Sequence, residues 1–346
     1  EDVRPIREYF PLEQCWEGLL ALCTRVFGIQ FREQKLKVHE AWHPTVRKYN
    51  VYHGGDEQAE DGFLGTLYID LIARKTKLGA AGHLTVQGAC NVHRDVLSKL
   101  GEDVPGMFQP AVLVLTTSFV PQHGQVFLWP HEVETLFHEM GHALHTFCGR
   151  TQYQNLSGTR SSVDFVEFPS QLMELFARDY RVLSTFAKHH RTKKPLPEPL
   201  WRSAYTAHFP GVTTLSEVLQ ASMAQLMHAP PPWTIPAQAG PLTLRGQTPD
   251  EAIGELGNHY AGIDQGCPAL TFGGLGSVEH FINYPALYYS YLYSKAFSRR
   301  VWHKYFEADP FNSEQGLKFR TEVLGKGASQ DPKRTLSLYL QEPPDP

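Results

Sequence analysis

The 346 residues carry 32 basic and 36 acidic side chains, a formal charge of −4, with 42% hydrophobic and 12% aromatic content. That composition fits a globular chain with a sizeable core, as one large domain or two. No basic stripe marks a nucleic-acid or anionic-lipid partner, and no apolar run approaches the roughly 18–20 residues of a membrane span. The five cysteines, Cys15, Cys23, Cys90, Cys148 and Cys267, are scattered and form no C-x-x-C. They read as free thiols in a reducing compartment. Cys90 and His93 are close enough in sequence to share a metal, but a buried thiol beside a surface histidine is the simpler reading. Residues 1–5 have no apolar core and read as neither a signal nor a transit peptide.

Taken in order, residues 11–30 read as an amphipathic helix. Leu12, Cys15, Trp16, Leu19, Leu20, Cys23 and Val26 fall at 3–4 spacing, and Gly28 is the stop. Residues 37–52 are mixed and are expected to include the first strand. Three more strands are expected at FLGTLYIDLIA (63–73), HLTVQ (83–87) and AVLVLTTSFV (111–120). The last is apolar enough to be covered on both faces. This sheet is too small for a doubly wound fold. The chain then turns helical. Pro130 suits the first position of a helix over 130–148, with Gly149 as its stop. Residues 161–186 read as one helix despite Pro169, 191–199 as an exposed loop, and 200–228 as helix. Pro230-Pro231-Pro232 argues against regular structure over 229–242. A short helix over 249–260, a glycine-rich loop over 266–276 and a long aromatic helix over 286–306 follow, and the last residues fray. The fold class is mostly α with a small β-sheet (α+β).

The helix over 130–148 contains His138-Glu139-Met140-Gly141-His142, an H-E-x-x-H pattern. Four-residue spacing puts both imidazoles on one helix face, one turn apart, where they can share one Zn²⁺. Glu139 can then reach a water on the metal rather than the metal itself. Such a site needs a third protein ligand. His145 lies on the same face, but seven residues of helix separate it from His138 by about 10.5 Å. It is better read as a packed histidine. Glu167, in Asp164-Phe165-Val166-Glu167-Phe168-Pro169-Ser170, follows His142 at a distance that allows a loop and a returning helix. Glu167 would be a ligand, and Asp164 would accept the second N–H of a ligating histidine. Equally, D-x-x-E opening an apolar run is a capping box. Glu134, one turn before His138, is either a support for that histidine or part of a solvated face.

These residues carry a resemblance. The segment FHEMGHALHTFCGRTQYQNLSGTRSSVDFVEFPSQLMELFARDYRV resembles the active-site core of the thimet-oligopeptidase family of zinc metallopeptidases. Within it, GRTQYQNLSGTR and LMELFARDYRV are most similar to the members that trim imported mitochondrial precursors. The resemblance extends more weakly from about residue 9 to the end. It implies one Zn²⁺ per chain held by His138, His142 and Glu167, with Glu139 as general base. The family's second signature, a late histidine before a tyrosine cluster, reads here from His280 through Tyr284 and Pro285 to Tyr288 and Tyr291. Spacing alone makes the tyrosines an aromatic core stripe on a helix that Pro285 could start. The resemblance makes His280, Tyr291 and Tyr288 contacts to substrate and transition state, each phenol a neutral hydrogen-bond donor. Two departures stand out. The loop after His280 has no glycine, so mobility would move upstream to Gly273-Gly274-Leu275-Gly276. Family members are also about twice this long, and the helical half that forms one wall of their channel would lie before this chain.

The resemblance therefore implies a zincin-type catalytic domain over 1–346, with the motif helix beside a short sheet. Its sheet part would cover about 37–125 and its helical part about 126–340. It would be a zinc endopeptidase of the mitochondrial matrix, or alternatively of the cytoplasm, acting on short or unfolded peptides and removing an N-terminal octapeptide from precursors. A peptide would be its partner, with no nucleic acid and no membrane insertion, and it would act as a monomer. The substrate would add to an edge strand over 79–86, touching Gly79, Gly82 and His83, with Tyr284 as a further contact. The alternatives are a general oligopeptidase of the same family and a non-catalytic zinc-stabilised binding module. The latter would be expected to lack Glu139.

Overall fold

A single glycine turns the first helix into the sheet. Helix α1 (Leu12–Phe27) buries Leu12, Cys15, Trp16, Leu19, Cys23 and Val26 along one stripe. It ends at Gly28, whose left-handed backbone (φ 61°) lets its N–H reach the carbonyls of Cys23 and Thr24. Strand β1 (Ile29–Gln34) begins at the next residue. The first strand therefore lies before residue 37, contrary to the sequence expectation. It is an edge strand that leaves most of its side chains part-exposed, so no apolar alternation announces it. The computed structural model describes residues 4–54, 62–77, 79, 81–92, 108–122, 124–206, 210–228, 233–235, 242–244 and 285–343. These fall into two units, one of residues 1–205 with 297–346 and one of residues 206–296.

In the first unit, β2 (Arg47–His53), β3 (Phe63–Ile72), β4 (Gly82–Gln87) and β7 (Ala111–Phe119) join β1 in a five-stranded sheet. Its order is β1-β2-β3-β7-β4. Only β3 and β7 run parallel; the other neighbours are antiparallel. Two-residue strands β5 (Cys90–Asn91) and β6 (Phe108–Gln109) form a separate ribbon. Strand β7 is not covered on both faces as expected. Ala111, Leu113, Leu115, Thr117 and Phe119 are buried while the residues between them are part-exposed. The strand therefore alternates in burial although its composition does not alternate in polarity. Strand β4 is the second edge, and its Leu84 and Val86 face outward.

The loop that feeds β4 is pinned by Asp70, a buried carboxylate at the end of β3. Arg74 donates to both its oxygens at 2.8 Å, Trp42 Nε1 donates at 2.9 Å, and Lys77 Nζ lies 3.1 Å away. Burial alone would raise the Asp70 carboxyl, but these donors outweigh it and hold it at about 2.

Helix α2 (Pro130–Cys148) occupies the expected span, with the Glu132 carboxylate accepting the Trp129 N–H at 2.7 Å. The expected helix over 161–186 is three pieces: α3 (Val163–Val166), α4 (Phe168–Arg178) and α5 (Tyr180–Phe186). Pro169 sits in the first turn of α4, where its missing N–H costs nothing, and the chain bends at Glu167. Asp179 is extended and caps α5 through the Arg181 N–H. The loop expected over 191–199 gives way to α6 (Glu198–Thr206), which precedes α7 (Pro210–His228), so 200–228 is two helices. In the second unit, β8 (Trp233–Ile235) pairs with β9 (Leu242–Leu244), although 229–242 was expected to be irregular. The three prolines end just before β8 and do not enter it. The aromatic helix is α8 (Tyr289–Val301), followed by a π-helical turn at Trp302–Phe306. It starts after Pro285, because Ala286 takes φ 61°.

The expected features over 249–260 and 266–276 lie outside the described residues. Helices α9 (Ser313–Glu322) and α10 (Pro332–Leu340) return to the first unit, where Arg320 donates to the carbonyls of Phe27 and Gly28 at the end of α1. Phe27, Phe168, Phe176, Phe306 and Phe319 interlock as largely edge-on pairs behind α4, with Trp302. Among the described residues no helix is long and apolar enough to cross a membrane.

Candidate metal centre

Two helices must approach closely for the motif to gain a third ligand. Gly141, between the two motif histidines, is where α2 meets α4. A Cβ there would lie 2.5 Å from Ser170 Cα and 2.8 Å from the Pro169 carbonyl oxygen. Only a glycine fits. That contact sets the start of α4 against α2 and brings Glu167, at the bend before it, over the histidines.

The result is a tight triad. Glu167 Oε2 is 3.2 Å from His138 Nε2 and 3.2 Å from His142 Nε2. The imidazole rings stand nearly perpendicular, 4.9 Å apart. Tetrahedral bonds of about 2.0 Å put neighbouring ligand atoms about 3.3 Å apart; the oxygen stands at that spacing from each nitrogen, and all three atoms lie within 4.8 Å of one another. The donor set fits a small divalent cation. Glu167 is held well below the usual carboxylate range: burial opposes this, and the two histidines outweigh it. Burial would likewise lower His138, but the carboxylates on its two nitrogens push it up to about 10. The site is a seat for positive charge.

The sequence reading missed the residue that orients His138. Glu174 Oε1 accepts from its Nδ1 at 2.8 Å. Glu174 Oε2 in turn accepts from Arg178 at 3.0 Å, and Arg178 also donates to Glu134 Oε2 at 2.9 Å. Glu134 thus acts on His138 through Arg178 and Glu174, and Asp164 is not the partner on this nitrogen. Asp164 lies in the single turn of α3, just before Glu167. In sequence, Glu174 and Arg178 look like an ordinary helix-surface pair four apart, which hides the role.

Around the triad, Glu139 is buried on α2 and burial raises its carboxyl above the usual range, although the histidines oppose this. From β4, His83 reaches α2: its Nε2 lies 3.0 Å from Thr146 Oγ1, and its ring is 5.9 Å from that of His142. Burial and the neighbouring His142 push His83 down to about 3, so it is neutral. Gly82 opens β4, whereas Gly79 lies in the loop before it, so the edge strand is shorter at its start than expected. His145 is fully buried, packs against Phe165, and has no hydrogen-bond partner on either ring nitrogen among the described residues. It is not part of the triad. Tyr288 and Tyr291 belong to the second unit, with rings 5.2 Å apart. Burial and Glu217 raise the Tyr288 phenol. His280 and Tyr284 lie outside the described residues.

Glu8, His189 and His190 form a second cluster of metal-ligand types, with one ligand atom from each within 4.8 Å of the others. His189 Nε2 is 2.7 Å from Glu8 Oε2. Its Nδ1 accepts the backbone N–H groups of Arg191 at 3.1 Å and Thr192 at 3.4 Å.

Similar proteins include the mitochondrial intermediate peptidase of Malassezia globosa, 34% identical over 98% of this chain and 44% of the relative. Those of Homo sapiens (33% identical, 97% of this chain, 43% of the relative) and Arabidopsis thaliana (33%, 97% and 44%) match similarly. The chain spans less than half the length of these relatives. The profile of peptidase family M3 matches residues 2–346, with the triad in the middle of the match. This chain belongs to peptidase family M3.

Proposed function

We propose that this chain carries the catalytic machinery of a zinc-dependent endopeptidase acting on short or unfolded peptides. The single observation that carries the reading is the equal 3.2 Å spacing of Glu167 Oε2 from both motif imidazole nitrogens. His138, His142 and Glu167 would hold the ion, one per chain, and leave a fourth corner open. When bound, Zn²⁺ supplies Lewis acidity toward the scissile carbonyl and the attacking water. Glu139 takes a proton from that water and delivers it to the leaving amine; its raised pKa suits both halves of the transfer. Tyr291, with His280 or Tyr288, donates to the oxyanion of the tetrahedral intermediate. Among the described residues strand β4 is a sheet edge beside His142, and the N–H and C=O groups of such an edge suit an extended peptide adding to the sheet.

The names of the relatives point to a mitochondrial peptidase. Our narrower reading adds a monomer in the matrix that removes an N-terminal octapeptide from imported precursors. A general oligopeptidase of the same family, degrading short peptides, is the second reading. Defined substrates separate the two: a precursor trimmed by eight residues, against indiscriminate cleavage of short peptides. The test of the site itself pairs metal stoichiometry with hydrolysis of a quenched peptide, for wild type and Glu139→Gln. One zinc in both proteins with cleavage only in wild type supports the reading. No stoichiometric metal in either, after reconstitution, overturns it.

A further inference from the structure

A carboxylate ligand has a freedom that an imidazole lacks. Its last torsion is broad and nearly two-fold, so either oxygen, or both together, can face a cation. In this site one oxygen is singled out. Glu167 Oε2 is the atom that lies 3.2 Å from both histidine nitrogens. That same oxygen accepts a hydrogen bond at 2.8 Å from Ser170 Oγ.

Three features make this bond more than a local turn contact. The Ser170 hydroxyl also lies 2.9 Å from the Glu167 carbonyl, but that carbonyl already accepts the Gln171 N–H at 3.0 Å. The one hydroxyl proton therefore goes to the charged acceptor, which binds it more strongly. Ser170 is completely buried, with no solvent to compete for that proton. Its backbone packs directly on α2, with its Cα facing Gly141 at a spacing that would not accept a single extra carbon. Main chain and hydroxyl are both fixed by the elements that fix the histidines.

From this we infer that Ser170 is a positioning residue. Its hydroxyl holds Glu167 as a one-oxygen ligand and so preserves the open fourth corner where water and substrate meet the cation. The inference rests on the metallopeptidase reading above. Without the hydroxyl, Glu167 is free to rotate and present both oxygens, which adds a ligand, crowds that corner and loosens the triad.

The experiment uses the cobalt-substituted protein, because four-coordinate Co²⁺ absorbs visible light several times more strongly than five- or six-coordinate Co²⁺. Spectra and chelator-competition affinities are compared for wild type, Ser170→Ala and Ser298→Ala. Ser298 is the control: its buried hydroxyl bonds the carbonyl of Phe168, next to Glu167, without touching the carboxylate. The expected result is a strong wild-type band and a weaker, shifted band in Ser170→Ala. Metal affinity should fall about tenfold, the lower end for removing a group that supports a ligand. Ser298→Ala should keep the wild-type spectrum. Should the alanine variant not fold, Ser170→Cys keeps most of the volume with a weak donor and is read the same way. A wild-type spectrum and affinity in the Ser170 variants, or an equal change in Ser298→Ala, overturns the positioning role. A wild-type protein that takes up no stoichiometric metal overturns the metallopeptidase reading instead.

Discussion

Two clusters among the described residues of the first unit combine two histidines with one glutamate, and in the reading proposed above only one holds a cation. The difference lies on the far side of the imidazole ring. In the triad, His138 Nδ1 faces Glu174, which can only accept, so when a cation takes the place of the Nε2 proton the other proton stays on Nδ1 and Nε2 can turn its lone pair to the ion. In the other cluster, His189 Nδ1 faces two backbone N–H groups, which can only donate. The proton must then sit on Nε2, where it is given to Glu8. A metal would have to displace it with no acceptor on the other side to take it. His190 stacks on His189 and meets Phe127 edge-on, so its ring is used for packing. The lesson is that ligand type and proximity are shared by both clusters, while the tautomer imposed from behind separates them.

The comparison breaks outright if metal binding does not discriminate. His142→Ala is expected to abolish stoichiometric zinc, while His189→Ala retains one zinc per chain, as read by metal analysis after dialysis. Two ions per wild-type chain would mean the second cluster has been misread. Next in size is Gly141→Ala. The added methyl meets backbone on α4 and cannot be relieved by a side-chain rotation. Overpacking of this kind costs about 1–3 kcal/mol, and here it also moves Glu167 away from the histidines. Both the melting temperature and the zinc affinity should fall, whereas an alanine that left the affinity intact would show that α4 can shift without carrying Glu167.

Glu174→Gln sharpens the comparison, because an amide presents either an acceptor or a donor to His138 and loses its hold on Arg178. Zinc affinity should fall about 10–100-fold, and the apo protein's melting temperature should fall as well, because His138 and Arg178 lose a charged partner. An affinity unchanged from wild type would put the orienting role elsewhere. Asp70→Asn tests whether the edge strand depends on its anchored loop. Losing the charged hydrogen bonds should cost about 2 kcal/mol. Asp70 is depressed in the folded state, so its contribution is fully present above the ordinary carboxylate range. It is lost as pH falls from about 4 through about 2. The stability gap between wild type and Asp70→Asn should therefore close over that window and stay constant above it.

What was legible in the sequence is what depends on local geometry. Four-residue spacing of His138 and His142 on one helix, the Pro130 start and the Gly149 stop are properties of a single helix, and the structure has them in those positions. The membership of Glu167 in the triad depends on a contact between helices, which spacing left open against a capping box. Glu174 was invisible because its meaning comes from His138 on another helix, while its sequence neighbour Arg178 supplies a sufficient surface explanation. The bend at Glu167 was missed for a related reason: Pro169 is compatible with a helix that begins there as well as with one that is interrupted. Strand β1 escaped because an edge strand buries too little to show a pattern.

The smallest effect is the most informative about the second cluster. Glu8→Ala removes the acceptor of the His189 proton, and the Glu8 side chain is half exposed. An ion pair or hydrogen bond in that setting contributes about 0.2–1 kcal/mol, so thermal unfolding should shift by a degree or two at most. Zinc content and peptide hydrolysis should be unchanged. If Glu8 and His189 instead formed a metal site, Glu8→Ala would lower metal content, and added zinc would raise the melting temperature of wild type more than that of the variant. If they only tie the turn of residues 4–9 to the loop at 189–194, zinc will not distinguish the two proteins. The small loss will then persist in its presence and its absence alike, because the backbone donors behind His189 remain in place whichever acceptor stands in front of it.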